Sequence, residues 1–464
     1  MAERVWPTTR EDAQGRERPR SGPEPTPAFL FRLIECESPV SLPARSCLRG
    51  IDEVAFGRRT EHSAEVSDRK LALGLPDQFL STRHATLRRS DQGWLLRDAG
   101  SKNGTLVGGA RVEQRLLADG DLIEVGRTQL LFRAALAAPA GAPTHLEASA
   151  LGVHEPGLLT LDPALEAALL RLRAVAPSKL PVVFIGETGT GKELAAAALH
   201  ALSGRSGPLV AINCAAIAPS LLESQLFGHR KGAFSGALED TPGLVRASDR
   251  GTLFLDEIGE LPPAAQAALL RVLAEGQVLP VGGTSPVSVD LRFACATNRD
   301  LKAMVAAGTF RADLLSRLQG LVLELPPLRE RLPDLGWLVS LLLRRHAKDP
   351  AAVRLVPEAA RALARYRWPL NVRELEQALA SALLLAGGKP IGLEHLPAEL
   401  RGELQRSVAP EALAPADQEL RARLVALLAE QGGNVSAVAR VLGKGRTQVV
   451  RWVQRFGIEP EKPR

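Results

Sequence analysis

At 464 residues the chain is too long for one hydrophobic core and points to about three domains. With 45% hydrophobic and 24% charged residues it has an ordinary globular composition, and no apolar run approaches the roughly 20 residues of a membrane helix. A net charge of +6, from 58 basic and 52 acidic residues, does not by itself imply nucleic acid, and Cys36, Cys47, Cys214 and Cys295 lack the CxxC spacing of a zinc site or disulfide framework, so a reducing cytoplasm and no membrane are expected.

Residues 1–27, rich in Arg, Glu and Pro, lack periodicity and read as a flexible arm. Over 28–133 the stretches FLFRLIE, GWLLRD, GTLV, DLIEVG and QLLFR alternate or run apolar, with Gln92-Gly93, Asn103-Gly104, Gly108-Gly109 and Asp119-Gly120 as turn dipeptides between them. No long helical pattern interrupts, which predicts an N-terminal β-sandwich. An Ala/Pro-containing linker is expected over 134–149. From 150 to 325 apolar strands alternate with helical segments, as in an α/β nucleotide fold, and 326–400 reads as helical. A second linker is expected at 401–416 and a compact all-α unit at 417–464.

Within the α/β segment, LPVVFIGETGTGKE at 180–193 is a strand, a Gly-rich loop and a helix start. The spacing Gly186-x-x-x-x-Gly191-Lys192 is that of a phosphate-binding loop, with Glu187, Thr188, Gly189 and Thr190 inside it. Glycines let backbone N–H groups turn toward a phosphate, Lys192 neutralises β/γ oxygens, and the helix N-terminus adds its dipole. Glu193 stands where Ser or Thr commonly coordinates Mg2+. The strand of GTLFLDEIGEL at 251–261 ends in two carboxylates, an expensive arrangement unless a cation or water uses them. That assigns Asp256 to Mg2+ and Glu257 to the attacking water of an ATPase. VDLRFACATNRD, at 289–300, puts Asn298 at a third strand end, where it can sense the γ-phosphate. Arg311 and Arg317 lie six apart, about 600° around a helix, and so need not share a face. Surface ion pairs and an arginine finger into a neighbour's ATP are both open for them.

The ordered series GETGTGKE, INCAAI, LFGHRKGAFSGA, GTLFLDEIGEL, ATNRD, FRADLLSRL, LPPLRER and WPLNVRELE resembles the central AAA+ domain of the bacterial sigma-54-dependent transcriptional activators, over about 150–400. The family also carries Glu after the phosphate-loop lysine. The resemblance implies a hexameric ATPase that remodels sigma-54 RNA polymerase holoenzyme. Gly232, Ala233, Phe234, Ser235, Gly236 and Ala237 are similar to the family's GAFTGA loop, which contacts sigma-54, with Phe234 as the hydrophobic contact and Ser235 in place of Thr. By the same matching Asn213 resembles the switch residue that restrains Glu257, Asn298 resembles sensor I, Arg311 and Arg317 the trans-acting arginines, and Arg373 sensor II. Leu370 replaces the usual Gly of WPGN, and an altered turn is expected there.

The tail places Leu420, Leu424, Leu427 and Leu428 at helical spacing, then a short apolar helix in NVSAVARVLG and a basic one in TQVVRWVQRFG. From 444 to 464 there are six basic and two acidic residues. Pattern alone leaves a helix-turn-helix and an oligomerisation bundle open. GGNVSAVARVLG resembles the Fis-type DNA-binding module of the same family, with Lys444, Arg446, Thr447, Gln448, Arg451 and Arg455 facing upstream promoter DNA. In the N-terminal sandwich, FGRR at 56–59, STRH at 81–84 and DAGSKNGT at 98–105 resemble a forkhead-associated (FHA) domain, a phosphothreonine-binding module. The match places Arg58, Ser81, Thr82, Lys102 and Asn103 at the ligand and gives Gly57 and His84 structural roles. An Arg and small polar groups on loops suit a dianionic phosphate. A sandwich that has lost phosphate binding and only docks on the motor is the competing reading. For the whole chain, two others compete with the activator: an AAA+ unfoldase, and a phosphopeptide scaffold with a degenerate ATPase.

Overall fold

The computed structural model describes residues 26–139, 141–151 and 159–402, and in the C-terminal stretch 423–424, 427–428, 431, 435–442, 445 and 448–449. The N-terminal body contains β1 (Phe29–Glu35), β2 (Ala44–Cys47), β3 (Glu53–Arg58), β4 (Ser63–Ser67), β5 (Lys70–Leu75), β6 (Ala85–Ser90), β7 (Gly93–Asp98), β8 (Thr105–Val107), β9 (Ala110–Val112), β10 (Gln114–Leu116), β11 (Leu122–Val125), β12 (Thr128–Arg133) and β13 (His145–Glu147). They form a seven-stranded sheet in the order β13-β2-β1-β12-β11-β8-β9 and a six-stranded sheet in the order β10-β7-β6-β3-β5-β4. Leu30, Leu130, Phe132 and Ile123 of the first sheet meet Val54, Phe56, Leu87 and Leu96 of the second in the sandwich core. The expected linker is not free chain throughout: His145–Glu147 pairs antiparallel with β2 and extends the sheet.

The central body has a five-stranded parallel sheet. Its elements are α1 (Pro163–Val175), β14 (Val182–Ile185), α2 (Lys192–Leu202), β15 (Leu209–Asn213), α3 (Pro219–Phe227), α4 (Leu244–Ala247), β16 (Thr252–Asp256), α5 (Pro263–Glu275), the short pair β17 (Gln277–Val278) and β18 (Val287–Ser288), β19 (Arg292–Thr297), α6 (Leu301–Ala306), α7 (Ala312–Leu318) and β20 (Leu321–Glu324). The sheet order is β15-β16-β19-β14-β20. Leu165, Leu169, Leu172 and Leu199 of α1 and α2 cover one face. Leu222, Leu226, Leu269 and Leu314 of α3, α5 and α7 cover the other. Strands buried on both faces read as continuous apolar runs, as VVFI and the FACA of RFACAT do. A helical lid follows, with α8 (Leu335–His346), α9 (Pro357–Arg365) and α10 (Asn371–Ala386). In the tail, α11 (Val435–Val441) buries Val438 and Ala439 against Leu424, Leu428 and Val449.

The sandwich and the lid share one hydrophobic core. Phe29, Phe31 and Leu33 of β1 point away from the sandwich interior, where a solvated sheet would carry polar groups; instead they are buried with Leu335, Val339 and Leu363 of the lid. Polar groups finish the junction. Ser340 Oγ and Arg344 Nη2 both donate to the Val40 carbonyl (2.7 and 2.9 Å), and Leu355 N donates to the Cys36 carbonyl (2.8 Å). Arg361 makes a two-pronged ion pair with Glu124 (2.6 and 2.8 Å), with side chains 11% and 5% exposed. On the side of the central body, Arg45 of β2 donates to the Leu161 carbonyl (3.1 Å) and to Glu166 of α1 (2.7 Å). Beneath it the buried Asp334 carboxylate accepts from Thr160 Oγ1 and Leu161 N.

Candidate functional site: a nucleotide cleft with two outlying recognition surfaces

In a parallel sheet, functional groups gather at the carboxyl ends of the strands. Here β14 ends at the Gly-rich loop, β19 at Asn298, β16 at Asp256-Glu257 and β15 at Asn213. Lys192, the first residue of α2, is buried, and its Nζ donates to the carbonyls of Gly186 (2.9 Å) and Glu187 (3.2 Å). Its Nζ also stands 3.8 Å from Glu257 Oε1. Thr190 Oγ1 closes the loop onto the Glu187 carbonyl at 2.9 Å. Gly191 has φ 100° and Gly189 φ 79°; a methyl group on Gly189 would overlap the Leu370 carbonyl oxygen, so the loop there requires glycine on two counts. Thr188 and Glu193 are exposed.

Glu257 takes a left-handed backbone (φ 52°), its N–H donating to Asp256 Oδ1 at 3.1 Å. Strain of this kind concentrates at functional sites. The turn aims the carboxylate back over the sheet edge, where Oε2 accepts from Asn298 N at 3.3 Å. Asn213 does not make the contact expected of it. Its Oδ1 accepts from Ala215 N (2.9 Å), capping a short 3-10 turn, while Glu257 is engaged by Asn298 and Lys192. The strand register sets Asn213 beside Asp256, one residue short of Glu257.

Arg311 lies just before α7 as its N-cap and grips Asp313 with two bonds (3.0 and 2.7 Å). Arg317, in the last turn of α7, donates to the carbonyls of Leu273 and Ala274. Among the described residues neither is hydrogen bonded to the phosphate loop. Arg373 is exposed on α10, and its Cβ would lie 3.2 Å from a methyl on Gly189.

Three lid residues that sequence reasoning gave no role hold the phosphate loop. Arg329 makes a fork to the Glu187 carboxylate (2.9 and 2.7 Å), Arg331 Nη2 donates to the Thr190 carbonyl (2.8 Å), and Asn371 bonds both Glu187 and Thr188. The Arg329 and Asn371 bonds hold the Glu187 carboxyl down at about 2. The only sequence signal was their place in LPPLRER and WPLNVRELE. The turn at Leu370 is not disturbed by the missing glycine. Leu370 sits at φ −103°, open to any residue, whereas Trp368 and Asn371 carry positive φ (52° and 57°). Trp368 is fully buried, its indole donating to the Leu363 carbonyl at 3.0 Å and its ring edge-on to Tyr366.

The loop between α3 and α4 carries Gly232 (φ 82°), Ala233, Phe234, Ser235, Gly236 (φ 110°) and Ala237. Backbone bonds from Gly232 N to Ala237 O (2.9 Å) and from Ala237 N to Phe234 O (3.0 Å) fold it back on itself. An Arg230–Asp240 ion pair closes its base. Phe234 is 38% exposed and leans on His229, ring centroids 5.0 Å apart; Leu238 beside it is 77% exposed. Ser235 is exposed too.

At one end of the sandwich three loops are stitched together. Arg58 N donates to the Ser81 carbonyl (3.0 Å), Lys102 N to Ser81 Oγ (3.1 Å), and Asn103 Nδ2 to the Phe79 carbonyl (2.7 Å). Arg58, Thr82, Lys102 and Asn103 are exposed on that end. Asp98 fixes the third loop by accepting from Gly100 N, Ser101 N, Ser101 Oγ and Thr105 Oγ1. His84 is buried between Ser81 N and the Gly104 carbonyl, and burial lowers its pKa, so it is a neutral structural residue. In the tail, Gln448 is exposed; Lys444, Arg446, Thr447, Arg451 and Arg455 lie outside the described residues.

All four cysteines are free and buried, and no described helix is long and apolar enough to cross a membrane.

Comparison with known proteins agrees with this geometry. Residues 158–324 match the Sigma-54 interaction domain, 329–412 the AAA+ ATPase lid domain, 54–126 the FHA domain and 415–461 a Homeodomain-like domain. The Acetoin catabolism regulatory protein of Cupriavidus necator is 44% identical over 311 residues, 64% of this chain and 46% of the relative, so the chain spans about half of that protein's length. The Transcriptional regulatory protein ZraR of Klebsiella oxytoca is 42% identical over 304 residues, 64% of this chain and 69% of ZraR. A crystal structure of NtrX from Brucella abortus in complex with ATP is 31% identical and aligns over 67% of this chain and 71% of that one, with a TM-score of 0.47. With an identity of 42% sustained over 69% of ZraR, and a sigma-54 interaction domain joined to its lid, the chain belongs to the sigma-54-dependent transcriptional regulators and carries their AAA+ ATPase.

Proposed function

We propose that the chain binds upstream promoter DNA, hydrolyses ATP in a ring of like subunits, and uses the stroke to open promoters held closed by sigma-54 RNA polymerase, under control of a threonine-phosphorylated partner. Its working units are a sandwich at 28–133, a motor at 150–400 and a DNA-binding tail at 417–464, acting in the cytoplasm. The observation that carries the reading is the pairing of a strained Glu257 beside Lys192 with an exposed Phe234 on a glycine-hinged loop. One supplies hydrolysis and the other an apolar contact to move.

The chain's own groups divide the work. Backbone N–H groups of 187–192 and the Lys192 ammonium receive the phosphates. Glu257 orients the attacking water and draws its proton. Asn298, already against Glu257, reports the γ-phosphate. Asp256 would hold Mg2+, which supplies charge neutralisation at the β- and γ-oxygens. One strand-end carboxylate fits an ion that binds proteins through one or two carboxylates plus substrate phosphates. Arg373 reaches the cleft from the lid, and Asn213 acts on Glu257 only after a change of rotamer. Arg311 and Arg317, engaged away from their own phosphate loop, serve a neighbour's site in a ring of subunits, a hexamer by resemblance to the family. Arg58, Ser81, Thr82, Lys102 and Asn103 receive phosphothreonine, and the basic tail receives DNA phosphates and bases.

The test is capture of purified sigma-54 by the full chain with ADP and a metal fluoride that mimics the transition state. Capture by the wild type and its loss in Phe234→Ala, with ATPase retained, is the expected result. Equal capture by both would overturn the role of the loop.

A further inference from the structure

Asn371 has no room for a casual role. It is fully buried, its backbone is left-handed (φ 57°), and its side-chain amide uses its acceptor and both donors at once. Oδ1 accepts from Leu328 N (2.8 Å), at the base of the lid. Nδ2 donates to the Thr188 carbonyl (3.0 Å) and to Glu187 Oε2 (3.1 Å), both in the phosphate loop. The neighbouring Val372 N donates to the Gly189 carbonyl (3.0 Å). Few residues satisfy these demands together. Asn tolerates the left-handed region, and its amide carries a donor pair and an acceptor on one short stem. Asp would fit the space yet set a second carboxylate against Glu187.

The turn is already closed on its own backbone, Asn371 N donating to the Trp368 carbonyl (2.8 Å). The side-chain amide is not needed for that closure and spends its donors on two residues more than 180 positions earlier. Glu187 is also the residue Arg329 grips, so the lid holds this carboxylate from two sides. The loop's N–H groups take their directions from residues 187–190, and each of these four is bonded by a lid residue. We infer that Asn371 is a positioning residue for nucleotide binding: with Arg329 it clamps Glu187 and Thr188 so that the phosphate loop is held open in the shape that receives the phosphates, and lid movement is thereby transmitted to the loop. The inference rests on the reading of 186–193 as the ATP site.

Titration of the full chain with ADP and ATP tests it, with Lys192→Ala as control. Asn371→Asp should weaken nucleotide binding about 10- to 150-fold, the range for losing a bond to a charged group. Adding Glu187→Gln should restore most of that loss, because the Gln amide can donate to Asp, while Glu187→Gln alone should cost about threefold. A structural turn would behave differently: Asn371→Asp would lower the melting temperature, leave the affinity of the folded fraction unchanged, and gain nothing from Glu187→Gln. That pattern would overturn the inference. Should Asn371→Asp not fold, Glu187→Ala removes the clamped anion, whose side chain is 42% exposed; unchanged affinity there would overturn it equally. A wild type that binds no nucleotide would remove the ATP-site reading itself, whereas binding by wild type and equal binding by Asn371→Asp removes only the clamp.

Discussion

Gly336, the second residue of α8, reports whether the sandwich is docked on the lid. A methyl group at this position would overlap the Leu33 carbonyl oxygen and lie 2.8 Å from the Leu33 carbonyl carbon, both backbone atoms of β1. If the face of α8 were free, Gly336→Ala would stabilise the helix by up to about 0.5–1 kcal/mol. With β1 in place, strand and helix must separate to admit the methyl, at an overpacking cost of about 1–3 kcal/mol, and the loosened junction weakens the packing of Phe31 and Val339. The two effects have opposite signs, and the steric one is larger. Net destabilisation of about 1–2 kcal/mol is expected, a fall of several degrees in the lid transition at about 2–4 °C per kcal/mol. Calorimetry of the full chain reads it, and the same substitution in a chain lacking residues 1–151 should be neutral or stabilising. A higher melting temperature for Gly336→Ala in the full chain would refute the shared core.

Arg361→Ala should cost about 3–5 kcal/mol in urea denaturation, since it strands the buried Glu124 carboxylate, and adding Glu124→Leu should recover much of it. Burial raises the Asp334 carboxyl to about 6, against the lowering effect of Arg331 and its hydrogen bonds. Its folded-state pKa lies above the unfolded value, so the folded state binds the extra proton and this group's contribution falls as pH rises from about 4 to 6. The stability difference between Asp334→Asn and wild type should therefore move in the variant's favour by roughly 3 kcal/mol over that window, then level off; a flat difference would show Asp334 ionised throughout. Arg58→Ala should weaken binding of phosphothreonine peptides to the full chain about 10- to 150-fold in calorimetric titration, and equal affinity for phosphorylated and plain peptides would remove the phosphate claim.

The phosphate loop and the acidic strand end were legible because their chemistry depends on spacing within a dozen residues. The sandwich was legible from strand-length runs and turn dipeptides. FLFRLIE also held a signal that alternation rules pass over: apolar residues of both parities, Phe29 and Phe31 as well as Leu30, mean a strand covered on both faces. What covers it could not be read locally, because Leu335 and Val339 lie some three hundred residues away. Docking, once the rival of phosphate binding, coexists here with an exposed Arg58 end. His145–Glu147 carries no strand pattern; it is recruited by the free edge of β2. The same distance problem hid Arg329 and Asn371, whose partners in the phosphate loop lie far back in the chain. Leu370 misled in the other direction, since the turn's positive angles fall on Trp368 and Asn371 and not on the position where a glycine was missed.

The central claim is that this chain's ATP hydrolysis opens sigma-54 promoters. It is tested most directly by following strand opening on a sigma-54 promoter with purified holoenzyme, the full chain and ATP, beside the Glu257→Gln variant. Opening by the wild type, with a loss of at least about a hundredfold in rate for Glu257→Gln while ATP still binds, is the predicted result. Opening at the wild-type rate by Glu257→Gln, or wild-type ATP hydrolysis without any opening, would contradict it.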